Sequence, residues 1–154
     1  MKKLIILEMA NNHSGLVEHG KKIIDTYSKI CSDYLERYEF VFKFQYRDLE
    51  TFIREDMKGD LKIPLIKRFS ETKLENVEFL ELIQYCHKCQ FGVMVTPFDE
   101  ISVERACEHK VDYLKIASCS FGDWPLIEKI SEYKMKVVAS CAGADLQTVE
   151  NVIS

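Results

Sequence analysis

The sequence predicts an α/β protein built from βα units around a parallel sheet. Short apolar runs of strand length alternate with segments in which apolar residues recur every three or four positions. Polar residues follow these runs directly, as they do at the carboxyl ends of parallel strands, where α/β proteins build their sites. With 154 residues and 47% hydrophobic content, the chain is long enough for one domain with a substantial core.

Five apolar runs are the candidate strands. Each has the length of a buried strand rather than of a helix. The first, Leu4-Ile5-Ile6-Leu7, leads into the most polar cluster of the sequence. The predicted strands cover residues 4–8, 39–45, 92–96, 112–117 and 136–140.

Helical periodicity separates these strands. The helix after the first strand is predicted to bury a stripe made of Ile23, Ile24, Tyr27, Ile30, Cys31 and Tyr34. The helix before the third strand has similar spacing at Val77, Leu80, Ile83 and Cys86. Shorter helices are expected from about Ser102 to Glu108 and from about Pro125 to Tyr133, where the proline suits a first helical turn.

The segment from Tyr46 to Lys73 is long, charged and without sustained periodicity, and it carries Gly59 and Pro64. It predicts a βα loop of functional length. Residues 144–153 are expected to begin a further helix. Five βα units are too few to close an eight-stranded barrel of about 250 residues. The residues alone therefore fit either an open α/β sheet or part of a longer barrel.

The charge pattern argues against nucleic acid and membrane partners. The net charge is -4, and lysines are scattered among glutamates rather than clustered. No apolar run approaches the roughly 18 residues that span a bilayer, and we expect a cytoplasmic protein. The six cysteines are expected to be reduced thiols. Cys86-His87-Lys88-Cys89 has the spacing of half a zinc site, but no second pair completes it.

Polar groups follow every predicted strand. Because parallel strands end on the same side of a sheet, these groups are expected to converge. Two lysines, several hydroxyls and amides and a carboxylate would suit a small substrate that bears a phosphate or carboxylate. The strand-end residues are Glu8 with Asn11, Asn12 and His13; Lys43 with Gln45; Thr96 with Asp99; Lys115 with Ser118; and Ser140.

Three charged residues stand out within this set. Glu8 follows four apolar residues and precedes the polar cluster, which makes it the candidate catalytic carboxylate. Lys43 and Lys115 each lie in an otherwise apolar strand, and a buried ammonium is costly without an anionic partner. The alternative for either lysine is that its side chain extends to solvent at the strand end.

The remaining candidates have structural alternatives. Asn11, Asn12 and Ser14 are of the types that cap helices. His13 is either a site residue or a structural histidine. Asp99 is expected to cap the following helix rather than to act in catalysis.

Taken in order, these residues resemble the N-acetylneuraminate (sialic acid) synthase family. The similarity covers essentially all 154 residues, and its motifs also have similar spacing. The motifs are Glu8 with Asn11-Asn12-His13-Ser14-Gly15, then Lys43-Phe44-Gln45, Thr96-Pro97-Phe98-Asp99 and Lys115-Ile116-Ala117-Ser118.

The resemblance implies a TIM barrel, of which this chain would supply about five of the eight βα units. Residues 1–154 would be the N-terminal part of that barrel, without its C-terminal half and without the small antifreeze-like domain. The family condenses phosphoenolpyruvate with an N-acetylated hexosamine, such as N-acetylmannosamine, to a nine-carbon 2-keto acid and phosphate. Its members form dimers, which implies a homo-oligomer or a second chain as partner.

The resemblance also implies roles for individual residues. The carboxylate and phosphate of phosphoenolpyruvate would bind Lys43, Thr96, Lys115, Ser118 and Ser140. Gln45 would face the sugar, and Glu8 would act as a proton-transfer or electrostatic group near the reacting carbons. Asn12 and His13 are further candidates. After the fifth strand, Ser140-Cys141-Ala142-Gly143 replaces the family's Ser-Thr-Gly, so only Ser140 transfers cleanly.

The family's metal is the largest departure. Family members use manganese or magnesium, bound by histidines from later strands that this chain does not contain. His13 is the only histidine near the predicted site, and a lone imidazole does not make a catalytic metal site. The isolated 154 residues are therefore expected to give negligible turnover.

Two other hypotheses about the function of these residues remain open. One is a Schiff-base aldolase on a similar barrel, with Lys43 or Lys115 as the nucleophile. The other is a non-catalytic fragment that keeps the anion pocket without the chemistry.

Overall fold

The computed structural model describes residues 2–153 as an α/β fold with five parallel strands. The strands follow one another in the sheet in chain order, β1-β2-β3-β4-β5. This is the order of successive βα units in a TIM barrel, and it confirms the predicted class, a partial barrel. All five predicted strands are present, and their bounds are β1 Lys3–Ala10, β2 Tyr38–Tyr46, β3 Gly92–Pro97, β4 Tyr113–Ile116 and β5 Lys136–Ala139.

The predicted helices are also present. The described helices are α1 Val17–Cys31, α2 Leu49–Phe52, α3 Pro64–Glu71, α4 Asn76–Lys88, α5 Glu100–Glu108, α6 Trp124–Ser131 and α7 Leu146–Ile153. Two of the predictions for these segments were wrong. The stripes predicted to be buried are partly exposed, since Ile30 is 60%, Tyr34 48% and Val77 72% exposed. The segment predicted as a loop between Tyr46 and Lys73 contains α2, α3 and a 3₁₀ turn at Glu55–Met57. Helix α2 has only four residues, about one turn, and Pro64, which the sequence predicts in a loop, is instead the first residue of α3.

The chain divides into two compact units. The first comprises residues 1–44 and 49–93. In it β1 and β2 pair in parallel from Lys3 opposite Tyr38 to Glu8 opposite Lys43. Aromatic side chains fill one face of β2. The rings of Phe42 and Phe91 pack edge to face there, with their centres 5.2 Å apart. This unit also contains α1 and α4, which pack on each other.

The second unit comprises residues 45–48 and 94–154. Strand β4 pairs in parallel with β3 and β5, with Leu114 opposite both Val95 and Val137. Helices α5 and α6 pack on each other, and each begins at an aspartate whose carboxylate accepts a backbone N–H. Pro125 lies in the first turn of α6, as predicted. The burial pattern changes at β5 and α7, where the apolar Val137 and Leu146 are 42% and 82% exposed.

Between residues 2 and 153, none of the helices has the length and apolar character needed to cross a membrane. All six cysteines are free thiols. Cys86 is fully buried on α4, and this burial raises the pKa of its thiol well above the usual range.

Candidate active site

In the first unit, an ion pair forms where β1 and β2 end. The parallel register places Glu8 beside Lys43, and Glu8 Oε1 lies 2.8 Å from Lys43 Nζ. The lysine side chain is only 12% exposed, whereas that of Glu8 is 53% exposed. The anionic partner expected for Lys43 is therefore Glu8 itself. The register shifts immediately after this pair, and Ala10 adopts a positive φ of 44°. This irregularity turns the chain away from the strand.

The polar cluster after β1 forms a tight turn around a buried histidine. The His13 side chain is 1% exposed and packs edge to face on Phe79. Its Nδ1 accepts the backbone N–H of Gly15 at 3.1 Å, which places the proton of the neutral ring on Nε2. Burial lowers the pKa of His13 to about 4. The observed role of His13 is thus to close the turn from inside, while Asn12 is exposed at its surface.

The alternative of helix capping for Asn11, Asn12 and Ser14 is wrong. Helix α1 begins after Leu16, and no side chain caps its first turn. Backbone hydrogen bonds hold the turn instead, including Asn12 N to Met9 O at 2.8 Å and Ser14 N to Asn11 O at 2.9 Å.

In the second unit, four predicted residues lie at the carboxyl ends of neighbouring strands. The register that pairs Val95 with Leu114 places Thr96 and Lys115 one position further along, and Lys115 in turn pairs with Val138 of β5. Ser118 begins a 3₁₀ turn after β4. Ser140 follows β5, and its N–H donates to Ile116 O at 3.0 Å. This edge brings together Thr96, Lys115, Ser118 and Ser140.

Asp99 has a structural role, as predicted. Its Oδ1 accepts the backbone N–H of Ser102 at 2.7 Å and so caps α5. Its Oδ2 accepts the N–H of Asp48 at 2.8 Å. Both oxygens are used, and the residue is 8% exposed. Asp99 therefore joins the residues after β2 to the start of α5.

The residues just after β2 include contacts that the sequence analysis missed. Arg47 stacks on Phe98 and binds Gln45, and the Tyr46 hydroxyl lies 3.0 Å from His109 Nδ1. Arg47 stands two positions after Gln45, and alternation along a strand would have indicated that the two side chains share a face. The charged segment around it concealed this signal.

The described residues do not fit the family's metal. Between residues 2 and 153, no three His, Cys, Asp or Glu side chains lie together so that they could hold an ion. His13 is buried, and its Nδ1 is already occupied by Gly15. We therefore assign no step to a metal on these residues.

Comparison with known proteins identifies the class. The NeuB family profile matches residues 39–154, which is more than half of the chain. The chain belongs to the NeuB family. This confirms the resemblance that the four motifs indicate.

Individual relatives agree with this assignment. A crystal structure of a protein described as spore coat polysaccharide biosynthesis protein E, from Chromobacterium violaceum, superimposes with a TM-score of 0.93 at 43% identity, over 99% of this chain and 45% of that one. The N,N'-diacetyllegionaminic acid synthase of Campylobacter jejuni is 24% identical over 99% of this chain and 46% of its own length. The N-acetylneuraminate-9-phosphate synthase of Drosophila melanogaster is 26% identical over 97% of this chain and 40% of its own. The chain thus spans less than half the length of these relatives.

Proposed function

We propose that this chain takes part in condensing phosphoenolpyruvate with an N-acetylated hexosamine to give a nonulosonic acid and phosphate. In this reaction, carbon 3 of phosphoenolpyruvate forms a bond to the aldehyde carbon of the sugar, and the aldehyde oxygen takes up a proton to become a hydroxyl. Water adds to carbon 2, and the carbon–oxygen bond to phosphate is lost there as the 2-keto acid forms. The support for this reaction is membership of the NeuB family together with the placement of the strand-end residues.

The proposed roles follow from the chemistry of each side chain. Lys43 and Lys115 would neutralise the carboxylate and phosphate of phosphoenolpyruvate, and hydroxyl groups would donate to their oxygens. Glu8 would hold or move a proton near the reacting carbons, and Gln45 would contact the sugar. The hydroxyl donors would be Thr96, Ser118 and Ser140.

The observation that carries the proposal is the Glu8–Lys43 pair. A carboxylate and an ammonium lie 2.8 Å apart at the carboxyl ends of adjacent parallel strands, which supports the proposed roles of a proton carrier and of a cation that binds the anionic substrate. Glu8 is half-exposed, so a substrate can reach it.

Calorimetric titration with phosphoenolpyruvate tests the binding step. We expect Lys43→Met and Lys115→Met each to weaken binding about tenfold or more, because each removes a charge-assisted hydrogen bond. Lys62→Met, on an exposed loop, is the matched control and should bind as wild type does. Equal affinity in all four proteins would overturn the proposed roles of Lys43 and Lys115.

Mass spectrometry of a mixture with N-acetylmannosamine, phosphoenolpyruvate and manganese tests the condensation. Because the described residues bring no set of metal ligands together, we expect the 154 residues alone to bind phosphoenolpyruvate without detectable product. Product formation by this chain alone would contradict that expectation while supporting the reaction.

The Schiff-base alternative is less well supported. A Schiff-base lysine attacks a carbonyl through its free amine, whereas the Lys43 nitrogen is engaged by Glu8. We expect borohydride treatment with a keto-acid substrate to leave the mass of the chain unchanged. An adduct mapped to Lys43 or Lys115 would favour the aldolase.

We also propose that a second copy or a second polypeptide covers β5 and α7. Apolar side chains there are exposed, including Leu146 at 82% and Ile153 at 79%, and an uncovered strand edge favours pairing. Light scattering should detect an oligomer or a stable complex. A monodisperse monomer that binds no partner chain would count against this proposal.

A further inference from the structure

Arg47 lies in a backbone segment that is fixed on both sides. The carbonyl of Tyr46 accepts the N–H of Phe98 at 3.1 Å, and the N–H of Asp48 donates to the Asp99 carboxylate at 2.8 Å. Both neighbours of Arg47 are thereby tied to the same two residues after β3. The Asp48 carboxylate also pairs with Arg105 of α5 at 3.2 Å. The arginine thus starts from a rigid base rather than from a free loop.

The Arg47 side chain is equally constrained. Its guanidinium carbon lies 3.9 Å from the centre of the Phe98 ring, which is close stacking of a planar cation on an aromatic face. A stacked guanidinium directs its N–H groups outward in its own plane. Both terminal nitrogens of Arg47 point to the same atom, Gln45 Oε1, each at 3.1 Å.

This contact orients the amide of Gln45. A guanidinium only donates hydrogen bonds, so the amide oxygen of Gln45, and not its nitrogen, must face Arg47. The Nε2 group then points away from the arginine, and it too can only donate. Without Arg47 the amide could present either its oxygen or its nitrogen to a ligand.

We propose that Arg47 is a positioning residue that makes Gln45 an obligate hydrogen-bond donor toward the sugar substrate. The inference rests on the proposed function, in which Gln45 contacts the sugar. The ligand atom at Gln45 is then an acceptor oxygen, either a hydroxyl or the N-acyl carbonyl. Arg47 itself touches no reacting atom. Its contribution is to exclude the amide rotamer that would reject such an oxygen.

The test uses Gln45→Glu, which keeps the shape and the acceptor for Arg47 but removes the donor. We expect its thermal midpoint to match or exceed that of wild type, because a carboxylate binds a guanidinium more strongly than an amide does. We expect its affinity for N-acetylmannosamine, measured by calorimetry at saturating phosphoenolpyruvate, to fall at least tenfold. Arg47→Met should weaken sugar binding several-fold, and Arg47→Lys should not restore it, since lysine lacks the planar fork.

Phosphoenolpyruvate affinity, measured alone, separates this inference from the proposed function. If the wild-type chain does not bind phosphoenolpyruvate, both fail. If it binds phosphoenolpyruvate but not the sugar, or if Gln45→Glu binds the sugar as wild type does, only the inference is overturned. If Arg47→Met lowers the thermal midpoint and weakens the binding of both ligands equally, Arg47 has only a structural role. That result would also overturn the inference.

Discussion

Glu8 and His13 lie five positions apart in one polar segment, yet the fold uses them in opposite ways. Glu8 is half-exposed and carries its charge beside Lys43. His13 is almost wholly buried, with its Nδ1 bound to a backbone N–H of the same turn. One residue is accessible from outside the fold, and the other holds the backbone that follows the strand.

The difference shows that one polar motif at a strand end can contain both an exposed residue, which can meet a ligand, and a buried residue, which holds the backbone. Alternation along β1 places Glu8 on the open side, and the irregularity after it redirects the chain so that His13 enters the core. A buried imidazole must be uncharged and hydrogen-bonded to be tolerated there. We therefore expect changes in the turn to act on stability and changes at Glu8 to act on ligand binding.

Gly15→Ala should have the largest effect on stability. Gly15 has a φ of +71°, and an added Cβ would lie 2.8 Å from the carbonyl oxygen of Glu71. Left-handed backbone strain and overlap with backbone together predict a loss of about 3 kcal/mol. Urea denaturation followed by circular dichroism measures it.

Gly59→Ala is the matched control for that change. Gly59 also has a positive φ, +76°, but nothing lies within 4 Å of its added Cβ. It should lose only the strain component, about 1 kcal/mol. Equal losses of unfolding free energy in the two variants would show that an added Cβ at Gly15 does not overlap with the carbonyl of Glu71.

The next effect is a pH dependence due to His13. Since its folded pKa is about 4 and that of an unfolded histidine is about 6.5, the unfolded chain takes up a proton first as the pH falls. Stability should therefore decline between pH 6.5 and pH 4, by at most about 3 kcal/mol, and this contribution should not change above or below that window.

His13→Asn isolates this contribution. The Asn side-chain oxygen can accept the Gly15 N–H but does not titrate. We expect its free energy of unfolding to vary less over the same window than that of wild type. Parallel pH profiles for the two proteins would refute the assignment to His13.

The sequence predicted what depends on local pattern. Apolar runs located all five strands, and the cost of burying Lys43 anticipated an anionic partner. The sequence could not tell which of Glu8 and His13 would be buried, because that depends on a register shift within a pair of strands. Nor did it reveal Arg47, because its ring partner Phe98 is brought to it by a tertiary contact and its local partner Gln45 stands in a charged stretch without clear periodicity.

Asp99→Ala tests a buried polar residue of the second unit. The change leaves the N–H groups of Ser102 and Asp48 without their acceptor and removes the cap of α5. We expect a loss of about 2 kcal/mol in the free energy of unfolding. Asp99→Asn keeps one acceptor oxygen and should lose less. A full loss of phosphoenolpyruvate binding at unchanged stability would instead place Asp99 among the residues that bind the ligand.

Glu8→Gln should have the smallest effect on stability and a distinctive one on binding. The amide oxygen of the glutamine side chain can still accept a hydrogen bond from the Lys43 ammonium, so the loss is limited to the attraction of a half-exposed carboxylate, about 1 kcal/mol. Because the carboxylate partly neutralises Lys43, its removal should strengthen binding of phosphoenolpyruvate by about twofold to fivefold, and high salt should reduce the gain. Calorimetry at two salt concentrations measures both effects. Weaker binding in this variant would mean that Glu8 contacts the ligand through a shared proton, and it would then belong with Lys43 to the binding groups. Stronger binding would mean that Glu8 is not needed to bind phosphoenolpyruvate and acts only when the substrate reacts. The residues of this motif would then divide into three kinds: those that bind the ligand, those that act in the reaction and those that hold the fold.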